Sequence, residues 1–139
     1  SRYPNDLARY PNARITFEHN QGIRERRKMR VNGNLLSSYQ RQTVCLLGGV
    51  LQSEVSGMSL KLESPDKQVV QVIMKKPIEE PLEGLLEVVG EVTAKLAVVC
   101  HGYVLFPPGM SQNFDMETYN RLVELMNERK EHYPTMASC

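Results

Sequence analysis

Six side chains have the chemistry needed for contact with a single-stranded nucleic acid. Binding of single strands without sequence preference uses aromatic rings that stack on bases and cations that neutralise phosphates. The chain has no tryptophan and only 6% aromatic residues, so we predict weak contacts at most. The candidate contacts are Arg30, Lys61, Lys75, Lys76, Lys95 and Tyr103. A solvated role for the lysines and a core position for the tyrosine are the alternatives.

The residue types used in catalysis and metal binding occur at spacings that fit neither role. His19, His101 and His132 are far apart in the chain, and no cysteine–histidine pair has the spacing of a metal site. The Gly48-Gly49 pair lacks the neighbouring lysine and serine or threonine of a phosphate-binding loop. We therefore predict a protein without enzymatic activity, metal or cofactor.

The length of 139 residues, with 41% hydrophobic and 24% charged residues, predicts one globular domain. A TIM barrel is excluded because it needs about 250 residues. No stretch approaches the roughly 18 apolar residues of a membrane span, and the first six residues lack the apolar run of a secretory signal. Because no span is present, we expect no membrane partner. Three cysteines are too few for a disulfide scaffold, so we expect a reducing compartment.

The net charge of +1 is the sum of two unlike parts. Residues 1–28 carry seven basic and three acidic side chains, which leaves +4 there and −3 on the other 111 residues. Because this segment has few aliphatic residues and no clear period, it is predicted to be a flexible basic arm. Its role is either contact with nucleic-acid phosphates or that of a solvated tail or non-native leader.

The elements that must position these side chains are five strands with short connections. A short helix from Leu35 to Gln40, capped by Asn34, precedes them. Close spacing favours an antiparallel sheet or small barrel over βαβ units, and interior glycines fit the sharp bends of a barrel. The fold class is therefore predicted to be all-β with a C-terminal helix, a five-stranded antiparallel OB-fold barrel. The predicted strands are Thr43–Leu51, Met58–Glu63, Val69–Met74, Leu85–Thr93 and Lys95–Phe106.

The last predicted element is a helix from about Met116 to Glu131, with Asp115 as its cap. Its apolar residues cover about half the circumference, more than the roughly 100° needed for packing on one small barrel. The helix could pack only on its own domain, or contact its barrel with one edge and partner helices with the rest. Asn120 and Asn127 fall on the opposite face among charged residues. The partner-helix candidates are Met116, Tyr119, Leu122, Val123, Leu125 and Met126.

Several short segments occur together in a family-specific order. The most distinctive is Gly84–Lys95, which reads Gly-Leu-Leu-Glu-Val-Val-Gly-Glu-Val-Thr-Ala-Lys. The others are Arg30–Leu36, Val44–Gly48 and the pairs Phe114-Asp115, Tyr119-Asn120 and Tyr133-Pro134. Through these segments, the stretch from Arg30 to Pro134, about 105 of the 139 residues, resembles the smallest subunit of eukaryotic replication protein A. Residues 1–28 have no counterpart, the Ser64–Lys67 turn lacks the family's glycine, and the Pro107–Asn113 loop departs from the pattern.

The resemblance implies a subunit of the nuclear heterotrimer that coats single-stranded DNA in replication, repair and recombination. In that family one OB-fold, here residues 29–113, is followed by an assembly helix, here within residues 114–133. The helix joins a bundle with one helix from each of two larger subunits, which make the strong DNA contacts. Two alternatives stay open: an OB-fold subunit of a telomeric single-strand-binding complex, and a module that binds nucleic acid itself through its barrel groove and basic arm.

Overall fold

Five consecutive strands close on themselves to form the body of the protein. The computed structural model describes residues 14–17, 28–79 and 82–129. The strands are β1 Arg14–Phe17, β2 Met29–Val31, β3 Thr43–Ser53, β4 Ser59–Glu63, β5 Val69–Ile73, β6 Leu85–Val92 and β7 Val98–Leu105. A 3-10 helix spans Leu36–Tyr39, and the α-helices are α1 Met110–Asn113 and α2 Met116–Glu128.

Each strand from β3 to β7 pairs with two others of this set, in the ring order β3-β4-β5-β7-β6 and back to β3. This closed ring confirms a five-stranded barrel consistent with the OB-fold.

The prediction of a purely antiparallel barrel is wrong, because two of the strand pairs are parallel. In the ring, β5 pairs in parallel with β7, with Val72 opposite Val98. Successive strands alternate in direction, so β5 and β7, which are separated by β6, run the same way when the barrel closes between them. Outside the ring, β2 pairs in parallel with β3 because the 3-10 helix returns the chain between them.

The strand β1 corrects part of the prediction of a flexible arm over residues 1–28. Residues 14–17 pair antiparallel with β7, with Arg14 opposite Leu105 and Phe17 opposite Gly102. Residues 102–105 of β7 lie beyond the part of that strand that pairs with β5, so their free side can pair even with a segment without an apolar period. Apart from these four residues and Lys28, the predicted arm lies outside the described residues.

The short helix is shorter than predicted and begins without the predicted cap. It is a 3-10 helix over Leu36–Tyr39, and no side chain caps its first turn. The side chain of Asn32, not that of Asn34, accepts a hydrogen bond from the Leu35 amide at 3.0 Å. The backbone amide of Asn34 donates to the carboxylate of Asp66 in the β4–β5 turn.

The barrel interior follows the alternation of side chains along the strands. On β5 and just beyond it, Val70, Val72 and Met74 are buried, whereas Val69 and Ile73 are exposed, as the sequence predicted. Strands β3 and β6 differ because both of their faces are buried. A second layer must therefore cover the outer face of these two strands.

Two glycines allow neighbouring strands to approach closely. A Cβ atom on Gly48 would lie 2.6 Å from the backbone oxygen of Glu63 on β4. A Cβ atom on Gly90 would overlap the backbone oxygen of Val99, at the point where the β6–β7 register shifts. The expectation that glycine marks an irregular position in a strand is confirmed at Gly90.

Candidate assembly helix and nucleic-acid face

Helix α2 begins where the sequence predicted. The Asp115 carboxylate accepts hydrogen bonds from the Thr118 amide at 3.0 Å and from the Thr118 hydroxyl at 2.7 Å. These bonds stabilise the ionised form and hold the pKa of Asp115 below its ordinary value. The helix ends at Glu128, three residues before the predicted end at Glu131.

Hydrogen bonds from two asparagines fix helix α2 to the first part of the domain. The side-chain amide of Asn32 on the segment after β2 donates to Asn120 Oδ1 at 2.8 Å. Asn127 Nδ2 donates to the Arg30 backbone oxygen at 2.8 Å, and Tyr39 Oη donates to Asn127 Oδ1 at 2.6 Å. We call Asn32, Tyr39, Asn120 and Asn127 the asparagine clasp.

The clasp was not predicted from the sequence, because the helical pattern placed Asn120 and Asn127 on the charged face of the helix. The helical period groups side chains by angle but does not reveal which polar groups have partners on another element. The available signal was the seven-residue spacing of the two asparagines, which puts them on one side of a helix, two turns apart. Val123 lies between them and is only 1% exposed, so this side of the helix faces the barrel.

The six predicted partner-helix residues divide into two groups. Val123 and Met126 are 1% and 9% exposed within the chain itself, so they are already covered. Leu122 and Leu125 are 43% and 45% exposed. With about 100° per residue, these two leucines lie about 60° apart on the outer side of the helix. Met116 and Tyr119 are half-buried, and the partner contact itself stays a prediction.

A buried polar group lies beneath helix α2. Glu87 stands on the outer face of β6 and is buried, and this burial raises the pKa of its carboxyl to about 8. The pKa of the Tyr119 hydroxyl is raised by burial and then by the charge of Glu87, while the charge of Arg30 acts in the opposite direction. Among the described side chains, Tyr119 Oη and Arg30 Nε are buried without a hydrogen-bond partner.

The predicted lysine contacts come from several elements of the barrel. Lys61 lies on β4 opposite Gln71 of β5 and is exposed. Lys75 and Lys76 follow β5, and Lys95 lies in the turn between β6 and β7; all three are exposed. The ammonium group of Lys75 lies 3.1 Å from His101 Nδ1.

Burial bears on two of the predicted DNA contacts. Tyr103 belongs to the hydrophobic core of the barrel, so its ring is not presented to a base. Arg30 is half-buried, and its Nε atom is fully covered, so this part of the guanidinium does not face solvent. The exposed large apolar side chains on β5 are Val69 and Ile73, which are aliphatic and offer no ring for stacking.

Within residues 14–17, 28–79 and 82–129, no helix is long and apolar enough to cross a membrane. The same ranges contain no cluster of three histidine, cysteine, aspartate or glutamate residues that could hold a metal ion.

Residues 24–133 match the family model described as replication factor A protein 3. The chain belongs to the replication factor A protein 3 family. The match spans the barrel and helix α2, and it confirms the resemblance found in the sequence.

Solved structures share the fold of this chain. A chain in the structure of U. maydis replication protein A bound to single-stranded DNA is 21% identical, with a TM-score of 0.65, covering 83% of this chain and 99% of that one. A chain of the S. pombe Stn1–Ten1 complex is 17% identical, with a TM-score of 0.54 and coverages of 75% and 95%. The telomere capping protein Ten1 from S. pombe has the same identity and TM-score, with coverages of 73% and 98%. The family match, together with the weaker telomeric similarity, favours replication protein A.

Both departures of this replication factor A protein 3 chain from the family pattern have defined conformations. In the turn that lacks the family's glycine, Lys67 adopts a φ of 66°, which glycine would tolerate more readily. The turn is held by a hydrogen bond from the Lys67 amide to the Ser64 oxygen. In the second departure, Met110–Asn113 forms the single turn of α1 that leads into helix α2.

Proposed function

We propose that this chain is the assembly subunit of a heterotrimeric, nuclear, single-stranded-DNA-binding replication protein A complex that supports DNA replication, repair and recombination. Its partners are the two larger subunits, and single-stranded DNA is bound mainly by the complex. The observation that carries this proposal is the exposed pair Leu122 and Leu125 on a helix whose opposite side is already seated on the barrel.

The two sides of helix α2 have different roles in this proposal. The side with Val123 is used within the chain, so it holds the helix in place. The side with Leu122 and Leu125 keeps large apolar surface in water, which costs free energy until a partner covers it. Leu122 and Leu125 are three residues apart, which places both on the same side of the helix, where a second helix could cover them.

The first prediction concerns these two leucines. We expect the double substitution Leu122→Glu/Leu125→Glu to weaken association with the two larger subunits by at least about 100-fold, because two carboxylates would be buried in an apolar contact. The measurement is co-purification of the full chain with both subunits, followed by titration of the purified components.

The matched control adds the same charge elsewhere. Ser37→Glu/Ser38→Glu places two carboxylates on exposed positions of the 3-10 helix and should leave association unchanged. Both double variants should keep the thermal stability of the barrel, because all four positions are exposed. Normal association of the leucine variant would refute the proposed function.

The second prediction concerns direct DNA contact by the isolated chain. We expect a dissociation constant for single-stranded DNA on the order of 10⁻⁴ M at about 150 mM salt, because surface lysines without stacking rings supply only non-specific attraction. Lys61→Ala should reduce the slope of log affinity against log salt by about 0.7, which corresponds to one lost phosphate contact. Lys67→Ala, in the β4–β5 turn, serves as the control. Sub-micromolar binding by this chain alone would contradict the weak-contact proposal.

A further inference from the structure

Helix α2 is attached to the barrel at two separated points. Asn120 accepts from Asn32, and seven residues later Asn127 contacts both the Arg30 backbone oxygen and the Tyr39 hydroxyl. With a rise of 1.5 Å per residue, the two attachments lie about 10 Å apart along the helix. Two such points fix both the axial position and the rotation of the helix.

The barrel side of the clasp is itself held in place. Asn32 is fully buried, and its Oδ1 accepts from the Leu35 amide at 3.0 Å, which directs its Nδ2 toward the helix. The next two amides, those of Gly33 and Asn34, each donate to a carboxylate oxygen of Asp66 at 2.9 Å. The β4–β5 turn therefore anchors the segment that carries Asn32.

The clasp supplies directional contacts where the apolar contact cannot. Burial of Val123 favours docking but is not directional, so it tolerates rotation of the helix. A shift by one residue would turn the helix by about 100° and carry Leu122 toward the barrel. Hydrogen bonds lose strength when their angles change, so the clasp resists this rotation.

We propose that Asn120 and Asn127 are positioning residues for assembly, which hold helix α2 in the single orientation that presents Leu122 and Leu125 to the partner helices. This inference rests on the proposed function and adds to it the part of the chain that sets the binding-competent orientation. A helix that is correctly oriented only part of the time binds its partners in proportion to that fraction.

The test measures association kinetics of the full chain with the two larger subunits. Asn120→Leu/Asn127→Leu keeps the helix and its bulk but removes the directional bonds, and we expect an association rate lowered at least about tenfold with a dissociation rate near that of the parent. The single substitution Asn120→Asp keeps an acceptor for Asn32, so its association rate should stay within about threefold of the parent rate. Asn113→Leu, on an exposed position outside the clasp, is the control.

Tyr39→Phe removes one clasp bond with the least change of shape, so it remains informative if the double variant fails to fold. We expect its association rate to fall about threefold. If the clasp variants fold and associate at the parent rate while Leu122→Glu/Leu125→Glu does not associate, the positioning role is overturned and the proposed function stands. If the leucine variant also associates normally, both are overturned.

Discussion

At pH 8, the Glu87→Gln variant is expected to be more stable to urea than the parent chain, and the difference should disappear near pH 4. The carboxyl of Glu87 is buried on the outer face of β6 beneath helix α2, where burial raises its pKa from 4.5 to about 8. The unfolded chain has the lower pKa, so it releases this proton first as the pH rises. The folded parent therefore loses stability between about pH 4.5 and pH 8.

The expected size of this effect follows from the shift. One pKa unit corresponds to about 1.4 kcal/mol, so the free energy of unfolding of the parent should fall by on the order of 3–5 kcal/mol across that interval, relative to the variant. The stabilisation is fully present below the unfolded pKa and is lost as the pH approaches the folded pKa. Glutamine has no such proton, so its curve should lack this component.

Urea denaturation at several pH values between 4 and 9 measures the effect. Glu91→Gln is the matched control, because Glu91 lies on the same strand but is exposed. Its stability should run parallel to that of the parent at every pH. A Glu87→Gln curve with the same pH slope as the parent would show that Glu87 is not the responsible group.

The second large effect is expected from two adjacent glycines. Gly48→Ala should lower the free energy of unfolding by about 2–4 kcal/mol, because the new methyl group would lie 2.6 Å from the Glu63 backbone oxygen. Relief requires β3 and β4 to separate, since the obstructing atom belongs to the backbone of a paired strand. Gly49→Ala should change the stability by less than about 0.5 kcal/mol, because its methyl group would meet nothing within 4 Å.

Denaturation midpoints of the two alanine variants give the comparison directly. The substitutions are chemically identical and occupy neighbouring positions of one strand, so differences in the unfolded chain largely cancel. Equal midpoints would exclude close approach of β4 as the reason for glycine at position 48.

Strands β4 and β5 were predictable because the alternation of their side chains is local. Leu60 and Leu62 on β4 alternate with exposed residues, and the same holds for Val70 and Val72 on β5. The parallel pairing of β5 with β7 was not predictable in this way, because it depends on where the ring closes. Strand β1 has no period of its own and depends on the edge of β7.

The candidate site was predictable only in part for a similar reason. The periodicity of helix α2 groups Leu122 and Leu125 with Val123 and Met126, since all four are apolar and lie on one arc. Burial by the barrel separates them, and the apolar periodicity alone does not show which edge the barrel covers. The clasp depends on Arg30 and Asn32, which are distant in sequence, so their contacts with the helix had no local signal.

The bond between Asn127 and the Arg30 backbone joins positions 97 residues apart, close to the two ends of the family region. Contacts of such long sequence separation form only after most of the chain is ordered, because the loop between them must first be closed. Helix α2 can therefore pack in this position only on a barrel whose first and last parts are both present. If the chain assembles as proposed above, we expect truncated chains to lack the oriented leucine pair and therefore to bind the larger subunits poorly.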